Sequence, residues 1–467
     1  MEDWVKDETN DSNFGDKRIN KRYSIVLDEL GRKPEISIPA ASKGLKETIG
    51  AYRFFDNEKV SPEKILEPHI NATIERMREN KVVLFVQDTT ELDYSGQKKL
   101  EGAGPLTYKD RRGFLNHPTI AITPEKLPLG IISTEIWSRP WEEKVKEDRR
   151  KIPINEKESR IWIESYQKSC EIASLVPETQ IINISDREGD IYELFMEYHE
   201  HQLQPKSELI VRAAQNRRLL EKRVDDKNKY EKIWEKLKKK EKLGEIEFFI
   251  GKNQNESKRK VVQTIRSATV ILKAPERTGI KMSHLEINAV LAIEENPPEG
   301  KDAIEWLILT TLDVKKFDEA VKVIEYYLSR WQIEIYFKVL KSGCKIERLQ
   351  FEDALRLKRC LLVYMIIAWR ILYVTMIGRS YPGISCEAVF ETDEWKAVYI
   401  VVKKEPPPKE PPKLSEMTSM VACLGGYLAR KNDLPPGPKT IWIGLQRAKD
   451  FAIAMNAQKY VYNFEPD

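Results

Sequence analysis

The sequence contains few of the residues on which disulfide-bonded and zinc-binding domains depend. Only five of its 467 residues are cysteines, they lie far apart, and none belongs to a Cys-x-x-Cys pair. Because their number is also odd, neither a disulfide framework nor a zinc ribbon is expected. The sequence has no glycine-rich loop of the P-loop type, which argues against a nucleotide cofactor. We therefore expect a protein of a reducing compartment whose chemistry depends on other residue types.

Long uninterrupted apolar runs are also scarce. The longest spans 361–377 and contains Arg370 near its middle, whereas a membrane-spanning helix needs roughly 20 predominantly apolar residues. The run therefore predicts a buried helix and no membrane partner. The first residues are acidic and polar and do not resemble a signal peptide, so we expect the chain to act in the cytoplasm.

The charges are numerous but nearly balanced, with 78 Lys and Arg against 74 Asp and Glu and a formal net charge of +4. This balance does not exclude nucleic acid as a partner, because affinity follows the local arrangement of cations. Asp16 is a predicted helix N-cap, and several cations follow it closely. This basic helix end is either a DNA contact or an ordinary solvated face. Its cations are Lys17, Arg18, Lys21 and Arg22.

Hydrophobic periodicity divides the chain into helical and strand-rich sections. Helical patterns over 1–70 give way to strand-like apolar runs near residue 81. One charged helical segment interrupts these strands, which indicates an α/β or α+β fold with a mixed sheet. The expected elements are strands at 82–87, 118–123, 129–137 and 181–185 and a helix over about 155–173.

Composition suggests further boundaries, since this length predicts two to four domains. A Lys-rich section at about 214–285 predicts a β-rich insertion within a larger unit over 71–380. A Pro-rich linker region over 381–413 then leads to a helical segment, 414–467. Apolar residues at helical spacing in this last segment suit a contact with a second subunit, and packing within the chain explains them nearly as well.

Two acids directly follow apolar strands. Asp88 comes after the strand at 82–87, and Asp186 comes after the strand at 181–185. A carboxylate at the end of a strand leaves the sheet where a ligand can reach it, so the two acids could converge if their strands are neighbours. An Asp in this position also commonly caps a turn or a helix, and that interpretation stays open.

A third acid, Glu334, lies in a long predicted helix over 317–344. At about 100° per residue, one narrow face of this helix carries the acid together with a phenol and several cations. The cations could bind phosphates while the carboxylate binds a divalent metal ion. A surface helix with ordinary salt bridges explains the same spacing. The other residues on or beside the face are Tyr327, Arg330, Lys338 and Lys341.

Asp88, Asp186 and Glu334 make chemical sense as one site. Oxygen-rich sites select Mg²⁺ or Mn²⁺, and two such ions about 3.5–4 Å apart can bind both the attacking and the leaving oxygen of a phosphodiester. The three acids therefore indicate metal-dependent chemistry on nucleic acid.

Several longer motifs accompany these acids. They include FGDKR, GAYRFFDNEKVS, QDTTELDYS, DREGDIYELF, LIVRA, INAVLAIEENPPEG and WLILTT, and the most specific is the Y-x2-R-x3-E-x6-K spacing that ends at Lys341. With these motifs the sequence resembles the bacterial DDE cut-and-paste transposases of the insertion-sequence-four family, most closely its transposon-five branch. The resemblance extends over about 4–454, and the segments 206–275 and 380–413 depart from it.

The resemblance implies an α/β fold with an RNase H-like catalytic core, interrupted by the β-rich insertion and flanked by helical N- and C-terminal domains. It implies that the three acids bind two Mg²⁺ or Mn²⁺ ions, and that Tyr327, Arg330 and Lys341 contact transposon-end phosphates. It places Trp306 and Trp331 in a pocket for an extruded base and gives Arg212 a DNA contact.

The function implied by the resemblance is DNA transposition by a homodimer that binds two transposon ends and a target duplex. The expected steps are nicking, hairpin formation at the ends and strand transfer. Two other interpretations stay open. One is a domesticated DNA-binding protein that does not cleave, and the other is an RNase H-like nuclease without strand transfer.

Overall fold

The computed structural model describes residues 3–108, 110–141, 152–201, 204–223, 225–226, 229–250, 259–276, 282–431 and 433–461. The strands in chain order are β1 Val82–Gln87, β2 Thr90–Asp93, β3 Gly104–Pro105, β4 Arg112–Ile122, β5 Pro128–Trp137, β6 Gln180–Ser185, β7 Glu208–Arg212, β8 Arg218–Lys222, β9 Tyr230–Lys232, β10 Gly244–Ile250, β11 Arg259–Leu272, β12 Leu285–Ile293 and β13 Glu305–Thr310.

The α-helices in chain order are α1 Asp3–Thr9, α2 Lys17–Arg32, α3 Ile38–Ala41, α4 Leu45–Asp56, α5 Pro62–Arg78, α6 Arg160–Leu175, α7 Tyr192–Glu200, α8 Ile233–Lys238, α9 Phe317–Leu328, α10 Trp331–Lys338, α11 Ala354–Ser380, α12 Thr392–Lys403, α13 Leu414–Leu424 and α14 Pro438–Val461.

Five strands form the centre of a mixed sheet in the order β5, β4, β1, β6, β7. Strand β4 is antiparallel to both β5 and β1, whereas β1, β6 and β7 are parallel to one another. Three antiparallel strands followed by two parallel ones, in this order, define an RNase H-like core. The interiors of β1 and β6 are buried and almost entirely apolar, with Asn183 as the polar residue in β6, as expected for strands covered on both faces. The predicted fold class is confirmed.

The insertion extends this sheet instead of forming a separate one. Strand β13 pairs with β7, β12 pairs with β13, and β11 pairs with β12, all antiparallel. Strands β8 and β10 then pair with β11. A second buried cluster of apolar residues lies under this part of the sheet and includes Tyr192, Leu219 and Leu272. The β-rich section and the catalytic core are therefore hydrogen-bonded to each other.

The long helix expected over 317–344 is divided into two helices. Helix α9 ends at Leu328, α10 begins at Trp331, and a π-helical turn over 339–343 follows. Between the helices, the N–H groups of Ser329 and Arg330 donate to the carbonyl groups of residues three positions earlier. The Ser329 hydroxyl also donates to the Glu325 carbonyl, a contact that bends helices. The prediction of one continuous helix was wrong because periodicity does not reveal this local tightening.

Helix α11 is long and apolar enough by composition to cross a membrane, but 89% of its most apolar window is buried inside the protein. One such helix is weak evidence for a membrane span. The Arg370 guanidinium donates to the Val389 carbonyl and lies over the rings of Trp4 and Tyr373. The helix therefore packs as a core element, as the interrupted apolar run predicted.

The C-terminal helices α12, α13 and α14 pack together and against α11. Helix α12 lies within the segment 381–413, where the sequence predicted a linker region. It forms because Glu391 and Glu394 make a capping box at its start and Trp395 is buried. The Pro-rich segment after α12 is attached to the rest of the protein near its C-terminal end, since the Cys386 N–H donates to the Pro412 carbonyl.

Candidate active site

Asp88 and Asp186 follow two adjacent parallel strands. In the β1–β6 pair Val86 lies opposite Ile184, and each acid comes two residues later along its own strand. Since neighbouring strands lie about 4.8 Å apart, the same register places the two carboxyl groups side by side at the carboxyl edge of the sheet. Burial raises the pKa of Asp88, and the negative charge of Asp186 raises it further, to about 6. Both effects favour the protonated, neutral form of Asp88.

Backbone N–H groups orient both carboxylates. The Thr89 N–H donates to Asp88 Oδ1 at 2.8 Å, and the Glu188 N–H donates to Asp186 Oδ1 at 2.7 Å. Asp186 thereby caps a single 3₁₀ turn, Arg187–Gly189. The capping interpretation therefore holds for Asp186, and it is compatible with a site role because the second carboxylate oxygen makes no hydrogen bond in that cap.

Glu334 reaches the other acids through a cation. Arg330 Nη1 lies 3.0 Å from Asp88 Oδ2, and Arg330 Nη2 lies 2.6 Å from Glu334 Oε1. Arg330 stands between α9 and α10, one helical turn before Glu334. The guanidinium is permanently charged, so it neutralises part of the charge of this acidic group.

The residues at the carboxyl edge fit a divalent cation in ligand type. Their donors are carboxylate oxygens, which suit Mg²⁺ and Mn²⁺, and a cation would offset the repulsion from Asp186 that contributes to the raised pKa of Asp88. Among the described residues, however, no three His, Cys, Asp or Glu side chains are grouped closely enough to hold a metal ion. The guanidinium of Arg330 separates Glu334 from Asp88. A complete three-acid site therefore requires Arg330 to move.

Arg212 belongs to the same edge. Strand β7 continues the parallel register, with Ser185 opposite Val211, so Arg212 follows beside Asp186. The edge thus presents Asp88, Asp186 and Arg212 in a row across three strands. Sequence motifs alone did not place Arg212 next to the acids, because the order of the strands depends on tertiary pairing.

His117 lies near the first acid motif in the sequence, where a structural role is the favoured interpretation, and the structure places it beside Asp88. It lies on β4 and is buried, and burial lowers its pKa to about 3. The neutral ring contacts both neighbours of Asp88, since Nε2 lies 2.9 Å from Gln87 Oε1 and Nδ1 lies 2.8 Å from Thr89 Oγ1. The amide of Gln87 also donates to Asn183 on β6 at 2.5 Å. This network fixes the segment that holds Asp88.

The cationic helix face predicted from spacing is only partly assembled. Arg330 and Glu334 contact each other, and Tyr327 is buried. Lys338 is exposed. Lys341 lies in the π-helical turn, where its Nζ is 3.7 Å from Glu347. This turn shifts the phase of the helix, so Lys341 faces Glu347, which accepts a hydrogen bond from Asp93 at the end of β2.

The two tryptophans differ in environment. Trp306 on β13 is half-buried and stacks against Phe248 of β10, with ring centroids 5.8 Å apart and planes inclined by 13°. Trp331 begins α10 and is 58% exposed. One face of the Trp306 indole is therefore covered by a neighbouring ring, whereas Trp331 is accessible.

The cations expected at the start of α2 are mostly at the surface. Asp16 caps the helix as predicted, and its carboxylate pairs with Arg18, which lowers the pKa of Asp16 to about 2. Lys17 and Lys21 are exposed, as is Arg18. Arg22 is half-buried, and its guanidinium lies against Gly50 of α4. Lys17 and Lys21 can thus meet a ligand directly, whereas Arg18 would first have to leave Asp16.

Family comparisons match three parts of the chain. Residues 1–60 match a transposase DNA-binding domain, 195–369 match a transposase DDE domain, and 366–465 match the transposase Tn5 dimerisation domain. The DDE match contains Glu334 and begins after Asp88 and Asp186. Together with the fold, these matches support a DDE transposase. More particularly, the C-terminal match is to a dimerisation domain of the Tn5 transposase.

One solved structure similar to the chain is described as a piggyBac transposase synaptic complex with hairpin DNA. It shares 9% sequence identity, and the alignment covers 81% of this chain and 72% of that chain with a TM-score of 0.34. A TM-score this low does not define the fold, which rests on the strand topology described above.

Proposed function

We propose that the protein is a bacterial cut-and-paste DNA transposase of the insertion-sequence-four family, closest to its transposon-five branch. The observation that carries the proposal is the position of Asp88 and Asp186 side by side at the carboxyl edge, with Glu334 joined to Asp88 through Arg330. The three transposase domain matches support the same function.

Asp88, Asp186 and Glu334 would hold two Mg²⁺ or Mn²⁺ ions. Such ions lower the pKa of an attacking water or 3′-hydroxyl and neutralise the leaving 3′-oxygen. The rest of the site prepares the acids for this role. Backbone N–H groups orient Asp88 and Asp186, and His117 holds the side chains of the two residues that flank Asp88.

Cations around the acids would hold the DNA strand. Arg330 would exchange its carboxylate partners for a transposon-end phosphate, which releases Asp88 and Glu334. Arg212, Lys338 and Lys341 would bind neighbouring phosphates, because Arg212 adjoins Asp186 and both lysines follow Glu334 on the same segment. Tyr327 would complete this contact from the side of Arg330. Charge-assisted contacts of this kind provide much of the affinity for DNA.

Base extrusion would use the two tryptophans. Unstacking one base costs a few kcal/mol, and stacking on an indole offsets part of that cost. Trp331 is exposed and available. Trp306 would offer the face that Phe248 does not cover.

The reaction sequence consists of phosphodiester exchanges. Water first attacks one strand at the transposon end and releases a 3′-hydroxyl. That hydroxyl attacks the opposite strand, displaces its 3′-oxygen and closes a hairpin. Water then opens the hairpin, and the two 3′-hydroxyls attack the target duplex. Each step forms one phosphorus–oxygen bond and breaks another, so neither a nucleotide cofactor nor a redox partner is required.

The flanking domains would bring two ends together. The exposed cations Lys17, Arg18 and Lys21, with Arg22 beside them, would bind the end sequence, and a homodimer formed through the C-terminal domain would pair two ends in a synaptic complex. The substrate is double-stranded DNA, so we place the protein in the cytoplasm, acting at the nucleoid.

The proposal is tested with Asp88→Asn, Asp186→Asn and Glu334→Gln in the full-length protein. Each variant should retain binding to a duplex that carries the inverted repeat bordering the gene, and should lose Mg²⁺-dependent nicking by at least about 100-fold. Glu171→Gln is the matched control, because Glu171 is an exposed acid on α6 that pairs with Lys168.

Other outcomes distinguish the alternatives. A wild-type protein that binds the repeat but never nicks it would be a non-cleaving DNA-binding protein. A protein that nicks but gives no joined products would be a nuclease without strand transfer. Wild-type nicking by any of the three variants would refute the assignment of the acids.

A further inference from the structure

A short hairpin between β3 and β4 extends beyond the edge at which the acids lie. Strand β4 pairs with β1 up to Gln87 and then continues alongside β2, with Asp93 opposite Gly113. The hairpin that joins β3 to β4 follows directly at that end of β4, and its described residues are 106–108, 110 and 111. Asp93 comes five positions after Asp88, a span of at most about 18 Å in an extended chain. The hairpin is therefore within reach of a duplex bound at Asp88.

The base of this hairpin is firmly attached. Glu91 Oε1 accepts hydrogen bonds from both the N–H and the hydroxyl of Thr107, at 2.7 and 2.5 Å. Trp141 Nε1 donates to the Ala103 carbonyl at 3.1 Å. Gly104 packs so closely that a Cβ there would lie 1.9 Å from the Arg139 carbonyl oxygen. The hairpin is thus held in place before any ligand binds.

The tip presents an aromatic ring and a cation to solvent. Tyr108 is 64% exposed, and the Arg111 guanidinium lies 5.2 Å from its ring centroid. Arg111 Nε is also 3.7 Å from Asp93 Oδ2. The sequence of the tip, TYKDRRG, contains three cations against one acid. Tyrosine and arginine together suit a DNA backbone, because the guanidinium binds phosphate and the ring packs on sugar or base.

The tip is connected to Lys341, one of the proposed phosphate-binding residues, through Asp93. Lys341 pairs with Glu347, and the Glu347 carboxylate accepts a hydrogen bond from the Asp93 N–H at 3.0 Å. Hydrogen bonds from Ser95 and the charges of Arg111 and Lys341 outweigh burial and lower the pKa of Asp93. Arg111 and Lys341 therefore lie on either side of the same acid, Asp93. A DNA strand with one phosphate bound at Lys341 would have a neighbouring phosphate near Arg111.

We infer that the Tyr108–Arg111 tip binds the DNA backbone immediately beside the scissile phosphate and extends the phosphate contacts beyond Lys341. This inference rests on the proposed function. The ligand is a duplex phosphodiester backbone, which either the flank of the uncut transposon end or the target duplex supplies. Arg111 contacts a phosphate, and Tyr108 packs against the adjacent sugar.

The test measures binding by full-length protein carrying Asp88→Asn, so that cleavage does not contribute. Tyr108→Ala/Arg111→Ala is compared with its parent on three duplexes: the inverted repeat with flank, the repeat cut at its end, and the cut repeat with an unrelated target duplex. The matched control is Tyr381→Ala/Lys168→Ala. Tyr381 is 45% exposed, and it follows the far end of the 27-residue helix α11, about 40 Å from its start.

On the duplex that supplies the contacted backbone, the double variant should bind about tenfold more weakly than the control. The slope of the logarithm of the binding constant against the logarithm of the salt concentration should also be smaller by about 1. Weakening only with the flanked repeat identifies the flank, and weakening only with the added target identifies the target. Arg111→Lys should restore most of the binding, because it keeps the charge. Control-level binding in all three arms would overturn the inference.

Wild-type nicking is measured separately on the flanked repeat in Mg²⁺. Failure to nick would count against the proposed function and leave the binding comparison valid. Normal nicking combined with unchanged binding by the double variant would refute the role of the tip alone.

Discussion

Arg330 Nη1 lies 3.0 Å from Asp88 Oδ2, and the other terminal nitrogen of the same guanidinium lies 2.6 Å from Glu334. One cation thus neutralises two of the three proposed metal ligands before metal or DNA is bound. Because a guanidinium and a divalent ion would compete for the same oxygens, release of Arg330 and loading of the site should be linked.

This relationship predicts that Arg330→Ala binds Mn²⁺ more tightly than wild type in the absence of DNA. Removing a competing ion pair worth about 1 kcal/mol should raise the affinity roughly three- to tenfold. Calorimetry or Mn²⁺ paramagnetic resonance on the full-length protein measures the affinity. Lys168→Ala, which removes an exposed cation on α6, should bind as wild type does. Equal or weaker Mn²⁺ binding by Arg330→Ala would contradict the competition.

His117 predicts a specific dependence of stability on pH. Burial lowers its pKa from 6.5 to about 3, so between those values the unfolded chain binds a proton that the folded chain excludes. Stability from this group is therefore present above pH 6.5 and is lost as the pH falls, by about 1.4 kcal/mol per unit.

The variant His117→Gln has no group titrating in this range at position 117. Urea unfolding of wild type and variant at pH 7, 6, 5 and 4 should show wild type losing more stability below pH 6, since the other titrations are common to both. Parallel curves would mean that His117 is protonated in the folded protein.

Gly444 predicts how tightly the C-terminal domain is packed. A Cβ at this position of α14 would lie 1.9 Å from the carbonyl oxygen of Val421 on α13, so Gly444→Ala must push the two helices apart. We expect a loss of about 1–3 kcal/mol in the free energy of unfolding. Gly437→Ala, where no atom lies within 4 Å, should change stability by less than about 0.5 kcal/mol. Denaturant unfolding compares them, and equal effects would show that α13 and α14 are not packed this closely.

The proposed dimer predicts an effect of charge on the outer face of α14. Ile453 is 54% exposed, so Ile453→Glu should leave the folded subunit intact while weakening a contact between subunits. Sedimentation with and without DNA should show a larger monomer fraction than for Leu175→Glu, which changes a residue 52% exposed at the end of α6. An unchanged dimer would place the interface elsewhere.

Local sequence was sufficient for the individual parts of the catalytic core. The strands β1 and β6 were predicted closely because short, mainly apolar runs rich in β-forming residues are each followed by an acid, Asp88 and Asp186. The cap at Asp16 followed from short-range hydrogen bonding. The division at Ser329 was missed, since helical periodicity is nearly the same on both sides of it.

The sequence by itself determined which residues end the core strands and which helix contains Glu334, because apolar runs, caps and periodicity are properties of neighbouring residues. Only the tertiary structure decided that Asp88, Asp186 and Arg212 form a row, that Arg330 bridges two acids, and that Arg111 and Lys341 both lie near Asp93. Those relationships depend on the register between strands about 100 residues apart and on the packing of α10 against β1. Such pairings are fixed by the burial of whole elements and not by any local pattern.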